Sequence, residues 1–266
     1  MTPHFEFVSK AASGSSARGR VESSAGSLVN RAQIWLDQDW SGTIQPGDSI
    51  TVSLVVVDAL QETFKVDLFI GLVSQVRPAG DLLLIECVTA AARLLLDQAA
   101  VKAWSNASVA SIVSDLLGMS SFDSSAVSMP DSFASQLLHS WHTDGGLVGH
   151  ELADLLSAVA PAVLTCSMPD GSLSLGTRAD LAGQLSVFTF PTDASLNAQG
   201  TPEFTRTRFS LRPVYAHQAV VSPADGSFLG TVDVVVHAIS MGQAFTEIIL
   251  DPTPDAAVAA YAASAA

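Results

Sequence analysis

The chain is poor in three residue types that many functions need: it has three lysines, two tyrosines and two cysteines in 266 residues. Cys87 and Cys166 are too few and too far apart for a disulfide framework, and both read as small buried hydrophobes. With 26 acidic against 12 basic groups, the formal net charge is −14, and no basic stripe of the kind that sequence-reading nucleic-acid binding requires is present. An acidic wall instead suits a channel through which DNA slides without sticking. The four tryptophans, Trp35, Trp40, Trp104 and Trp141, are scattered, and Tyr215 and Tyr261 do not extend them into a sugar-stacking platform; they read as core or interface anchors. Charge of either sign is sparse, at 14% of residues against 48% hydrophobic, which leaves ample core and a surface of the kind expected for a subunit buried in an assembly. The longest aliphatic run, 54–57, is far short of the roughly 20 residues of a membrane span. The amino-terminal MTPHFEFVSKAASGSS also lacks the apolar core of a signal peptide, so the expectation is cytoplasmic synthesis without a membrane anchor.

Chemistry-bearing patterns are equally thin. There is no GxSxG, no GxGxxG and no P-loop. His139, His142, Asp144, His150, Glu151 and Asp154 are the one grouping with metal-ligand chemistry. Yet HExxD is not HExxH, and a strand would send His139 and His142 to opposite faces. Candidate carboxylate pairs, Asp37 with Asp39 and Glu62 with Asp67, sit at turns and strand edges with no surrounding motif. The expectation is no catalytic residue, no metal and no cofactor.

What is present is period-2 patterning bounded by turn chemistry. Strands are predicted over Val29–Leu36, Ile50–Val57, Val66–Arg77 with a break at Gly71, and Leu82–Thr89, with turns at Pro46-Gly47-Asp48 and Pro78-Ala79-Gly80-Asp81. The Ser, Gly and Ala stretch 11–26 reads as a loop or as a hairpin that orders against a neighbour. A helix is predicted over Ala90–Ala100. Another, Val109–Leu117, is capped by the 105–108 segment and stopped by Gly118. A mixed piece, Phe133–Trp141, leads into a helix over Leu147–Ala160 that Pro161 ends. Val163–Met168 and Ser172–Leu175 form a hairpin with Asp170-Gly171 at its tip. Strands return at Val187–Phe190, Arg206–Arg212, Pro213–Val221, Ser227–His237 and Phe245–Leu250. In the tail DPTPDAAVAAYAASAA, Pro252 and Pro254 end the strand. Asp255 could cap a short helix to Ala266 that either frays or packs on a partner.

The PGD turn before one strand, DLFIGLV in the next, and the later helix followed by DGSLSLGTR resemble the phage baseplate hub proteins of the tail-tube superfamily, of the late control protein type. The resemblance spans about Val29 to Arg178. It implies an α+β, mostly β fold with two tail-tube-like β-barrel domains and an α/β domain between them. The implied divisions are 1–95, 96–182, 183–252 and a carboxyl-terminal tail at 253–266. It further implies a homotrimeric, non-enzymatic adaptor in the virion tail that joins the tail tube to the central spike. The implied partners are the chain itself, the spike, a tube or tube-initiator protein, the tape measure protein and the baseplate wedge, with DNA only in transit. A tube or distal tail ring protein and a baseplate-associated peptidoglycan hydrolase are the alternatives. Two sets of residues are candidate contacts. Arg206, Arg208 and Arg212 share one strand face and call for acidic partners, in a neighbouring subunit or in the chain itself. Asp255 and Tyr261 lie on the tail expected near the spike.

Overall fold

Alternating apolar residues build the first β region, as their period dictates. In the computed structural model, which describes residues 3–57, 63–123, 125, 127–203, 205–240, 243–253 and 255–265, this region comprises β1 (His4–Ser9), β2 (Ser13–Ser16), β3 (Gly19–Ser24), β4 (Arg31–Asp37), β5 (Ser49–Val57), β6 (Thr63–Ala79) and β7 (Leu82–Thr89). The strands pair in the order β3-β4-β7-β6-β5-β1-β2. The Ser/Gly stretch is therefore ordered: β2 pairs with β1 and β3 with β4. Between them, the Arg18 carbonyl accepts from Trp35 N–H, and the Ser16 hydroxyl donates to the Trp35 carbonyl. Among the described residues the hydrogen-bond ladder stays open, so no closed barrel is seen. The sheet nonetheless curls until its two ends meet along 13–24, around a core of Phe5, Phe7, Ile34, Ile50, Val52, Phe69 and Ile85.

Gly71 does not break its strand. β6 runs through it and changes partner there, from β5 on one side to β7 on the other. A Cβ at this position would lie 2.3 Å from the Val88 carbonyl oxygen, so the crossing requires glycine. The PGD turn locks the sheet's end: Gly47, at φ +93°, donates to the Val73 carbonyl, and Val73 N–H donates to Asp48.

The helix expected over Ala90–Ala100 is a short 3₁₀ turn, Ala90–Leu95. Its buried residues, Ala91 and Leu94, are three apart, the 3₁₀ period. After it come β8 (Lys102–Ser108), α1 (Val109–Leu117), β9 (Val127–Ser128), α2 (Asp131–Ala134), β10 (Leu137–Thr143), α3 (Val148–Val159), β11 (Leu164–Ser167), β12 (Leu173–Gly176) and α4 (Arg178–Ala182). The 105–108 segment is thus strand, and only Ser108 caps α1, accepting from Ser111 N–H. The mixed piece resolves into α2 and then β10, which pairs with β8 as a two-stranded ribbon. α1 and α3 bury Ile112, Val113, Leu116, Leu152 and Leu155 against one another in a second core. Gly171, at the tip of the DG hairpin and at φ +83°, sits against Ile70 of β6 and joins this central unit to the first sheet.

The last region contains β13 (Phe188–Thr189), β14 (Arg206–Ser210), β15 (Ala219–Val221), β16 (Phe228–Ser240), β17 (Gln243–Asp251) and α5 (Ala256–Ala265). β16 is the hinge of the whole sheet: it pairs with β15 and β3, and with β17 on its other edge. The two β regions are therefore one continuous sheet, where two separate barrels were expected. The predicted strand Pro213–Val221 is strand only at its end, because the earlier residues are fastened by side chains. Pro254 and Ala266 lie outside the described residues. Among those described, no helix is long and apolar enough to cross a membrane.

Candidate interaction surface

The alternation in β14 sends Thr207 and Phe209 inward and Arg206, Arg208 and Ser210 outward. Glu247 stands opposite Arg208 on β17 and serves both arginines. Its Oε1 accepts from Arg206 Nε at 2.9 Å and its Oε2 from Arg208 Nη2 at 3.0 Å. Burial alone would raise its pKa; the two arginine hydrogen bonds outweigh it and hold the carboxyl below its usual range. The Arg208 guanidinium also covers the Phe245 ring, 3.9 Å from its centroid. Arg212 reaches Asp193 at 3.5 Å, and Asp193 in turn accepts from Ser210 N–H at 2.8 Å. All three arginines thus have acidic partners inside the chain, but three cations share two carboxylates. Their side chains stay 65%, 57% and 46% exposed.

Beside this strip opens an apolar groove of about 760 Å³, walled by Leu54, Val56, Phe64 and Val66 of the β5–β6 pair and by Leu211 and Pro213 beyond β14. Phe64 is half exposed within it. Sequence reading missed the groove and Glu247 alike. The signal for Glu247 was a charge in the otherwise apolar TEIIL of β17; the groove joins residues about 150 positions apart and left no signal.

The carboxyl-terminal helix packs on its own chain, where fraying or a partner had been the alternatives. Asp255 Oδ1 accepts from Ala257 and Val258 N–H, Val258 and Ala262 are buried, and the Tyr261 hydroxyl donates to the Leu185 carbonyl at 2.5 Å.

The histidine–carboxylate grouping is dispersed. His139 Nδ1 faces Asn106 Oδ1 across the β8–β10 ribbon, His142 meets only the exposed Asp144, and His150 and Asp154 point to solvent. Glu151 is buried for a structural reason: its Oε1 accepts from Asp144 and Gly146 N–H and pins the turn before α3. Among the described residues, no cluster of three or more such ligands could hold a metal. Asp37 stands at the N-cap of the surface 3₁₀ turn Gln38–Trp40 and Asp39 lies within it, Asp67 accepts from Ser53 Oγ at 2.6 Å, and Glu62 lies outside the described residues. Burial pushes the thiols of Cys87 and Cys166 up to about 12, which makes them poor nucleophiles.

No protein-family model and no curated protein matches the chain. Solved structures do. A 43 kDa tail protein of prophage MuSo2 from Shewanella oneidensis is similar at a TM-score of 0.66 and 11% identity, over 94% of this chain and 98% of that one. The tail protein from Neisseria meningitidis MC58 is similar at 0.70 and 10%, over 98% and 99%. The Escherichia coli c3393 protein, a type VI secretion component described as similar to the T4 tail proteins gp27 and gp5, is similar at 0.58 and 10%, over 90% and 73%. The chain shares the fold of these tail proteins.

Proposed function

We propose that the chain is the structural hub of a phage tail baseplate. In this reading it is a homotrimer that joins the tail tube to the central spike and encloses a channel for DNA passage. The observation that carries this reading is the coincidence of fold with tail proteins over nearly the whole length of both chains. The sheet's curl around the first core supplies a tube-like module, and the carboxyl-terminal strands sharing β16 supply a second. A chain carrying two such modules in a trimer would present six to a six-fold tube. The net charge of −14 suits a bore that DNA crosses without adhering.

The arginine strip and the apolar groove next to it form the face for a neighbouring subunit, with Arg206, Arg208 and Arg212 as its cationic rim. The spike seats at the carboxyl-terminal end, on the outer side of α5 that Asp255 and Tyr261 hold in place. The tube or its initiator, the tape measure protein and the baseplate wedge are the further partners. The protein acts in the virion after synthesis in the host cytoplasm, and its mechanism is geometry and binding without catalysis.

Single-particle images of the purified chain test this. Three-fold rings are the expected result. Six-fold rings would identify a tube or distal tail protein, and monomers that clear cell walls in zymography would identify a peptidoglycan hydrolase. Charge reversal at Arg208 is expected to weaken the trimer in native mass spectrometry, and an unchanged oligomer would remove the arginine strip from the interface.

A further inference from the structure

Residues 211–218 pass from β14 to β15 without joining a sheet, yet Leu211, Val214, Ala216, His217 and Gln218 in this strap are buried. A buried segment outside a ladder must find other partners for its backbone. Arg212 N–H donates to Thr246 Oγ1 at 2.9 Å, and His237 Nε2 lies 2.9 Å from the Val214 carbonyl. Tyr215 N–H donates to Gln218 Oε1 at 3.1 Å, and His217 N–H donates to the Val232 carbonyl at 2.8 Å. Two further bonds cross to the first β region. The Tyr215 hydroxyl donates to the Asp67 carbonyl at 3.3 Å, and Gly26 N–H donates to His217 Nε2 at 3.1 Å.

The last bond has a fixed direction. A backbone N–H can only donate, so His217 Nε2 accepts and carries no proton. We propose that His217 is a proton-operated fastener: protonating its ring sets a donor against the Gly26 donor, breaks that bond and frees the strap while the β ladders stay closed. The groups facing the ring are few. The β3–β4 loop offers Gly26 N–H. On β16 the Val232 carbonyl takes the His217 backbone N–H and not the ring, and the carbonyl of the next residue, Asp233, holds Ala25 N–H. α4 offers Arg178, which is ion-paired to Asp251 of β17. Among the described residues, no carboxylate forms an ion pair with the ring, and Arg178 is the charged group that acts on it.

The energetics run in the same direction. Burial first, and Arg178 second, push the His217 pKa down to about 4. Because this is below the ordinary value of about 6.5, the closed strap is fully favoured above pH 6.5 and loses ground as pH falls toward 4. His237 is also held at about 4, by burial and against the pull of the Val214 carbonyl. Its Nδ1, however, faces the Thr246 hydroxyl, which can turn to accept, so a proton there breaks neither contact.

Hydrogen exchange of the full chain at pH 7.5 and 4.5, corrected for intrinsic rates, tests the proposal. Exchange in 211–218 is expected to rise roughly 50- to 100-fold at the lower pH, while β5, β6 and β7 hold their protection. His217→Asn should abolish the rise: asparagine tolerates the left-handed φ of +68° at this position and does not titrate. His237→Gln should retain it. Unchanged strap protection, an equal rise throughout β5–β7, or the same rise in His217→Asn would overturn the proposal. If His217→Asn does not fold, nitrogen NMR of the wild-type ring decides. A protonation midpoint matching that of strap exchange supports the fastener, and separate midpoints refute it.

Discussion

The first β region is held together by backbone ladders, although its curled sheet stays open. From β3 round to β2 every strand has a ladder partner, and large apolar side chains fill the space within. The second β region has β14 paired on one edge only, among the described residues, and its strap is held mostly by side chains, Thr246, His237, Gln218 and Tyr215, with backbone bonds to Val232 at its end. The same kind of strand thus yields two kinds of stability. Ladder and apolar core are insensitive to the chemistry of the medium, whereas buried side-chain fasteners respond to pH and to single-atom changes.

The largest test of the contrast lies in the first core. Phe5 is fully buried, so Phe5→Ala is expected to cost about 3–5 kcal/mol in denaturant unfolding. A loss below 1 kcal/mol would mean that the sheet does not depend on its filling. Acid comes next. His217 and His237, each held at about 4, should each withdraw about 3 kcal/mol as pH falls from 6.5 to 4. Asp251, whose bonds from Thr253 and Arg178 lower its pKa to about 2, contributes stability above pH 4 that is lost only below it, by about 2 kcal/mol. Thermal unfolding across this range should show the carboxyl-terminal region failing first; simultaneous loss of both regions would erase the distinction.

Smaller again is Thr246→Val, which removes the hydroxyl that Arg212 and His237 share. It should cost about 1–3 kcal/mol and raise exchange in the strap before β5–β7. Smallest is Glu247→Gln. It leaves Arg206 and Arg208 exposed on an already hydrated face, so about 1 kcal/mol is expected, shrinking with added salt. An effect as large as that of Phe5→Ala would mean that the strip, and not the core, holds the second region.

Legibility in the sequence follows the same divide. β4 to β7, α1 and α3 were readable because periodicity and capping are local, as was the mostly β character of the chain. The PGD and DG turns were readable because glycine at positive φ leaves a local mark. The α4 capping box, in which the Thr177 side chain accepts from Asp180 N–H and Asp180 answers at Thr177 N–H, was equally local and was overlooked. The pairing of β3 with β16 could not be read, since it joins positions over 200 apart. Nor could the strap, whose bonds depend on which buried side chain faces which carbonyl. At the surface, the arginine strip was visible as alternation, while its partner Glu247 and the adjoining groove emerge only when β17 and the β5–β6 pair come together.

The pairing of β3 with β16 also sets a schedule for the ribosome. The outer edge of β3 is complete once Ser24 has emerged, yet the strand that covers it ends at Ser240. At about 5–20 residues per second, that edge waits roughly ten to forty seconds for its partner. An uncovered edge is a template for any passing strand, including the same segment of another nascent chain. Arg20 and Glu22, both on β3 and joined by an ion pair, are charged interruptions on that waiting edge.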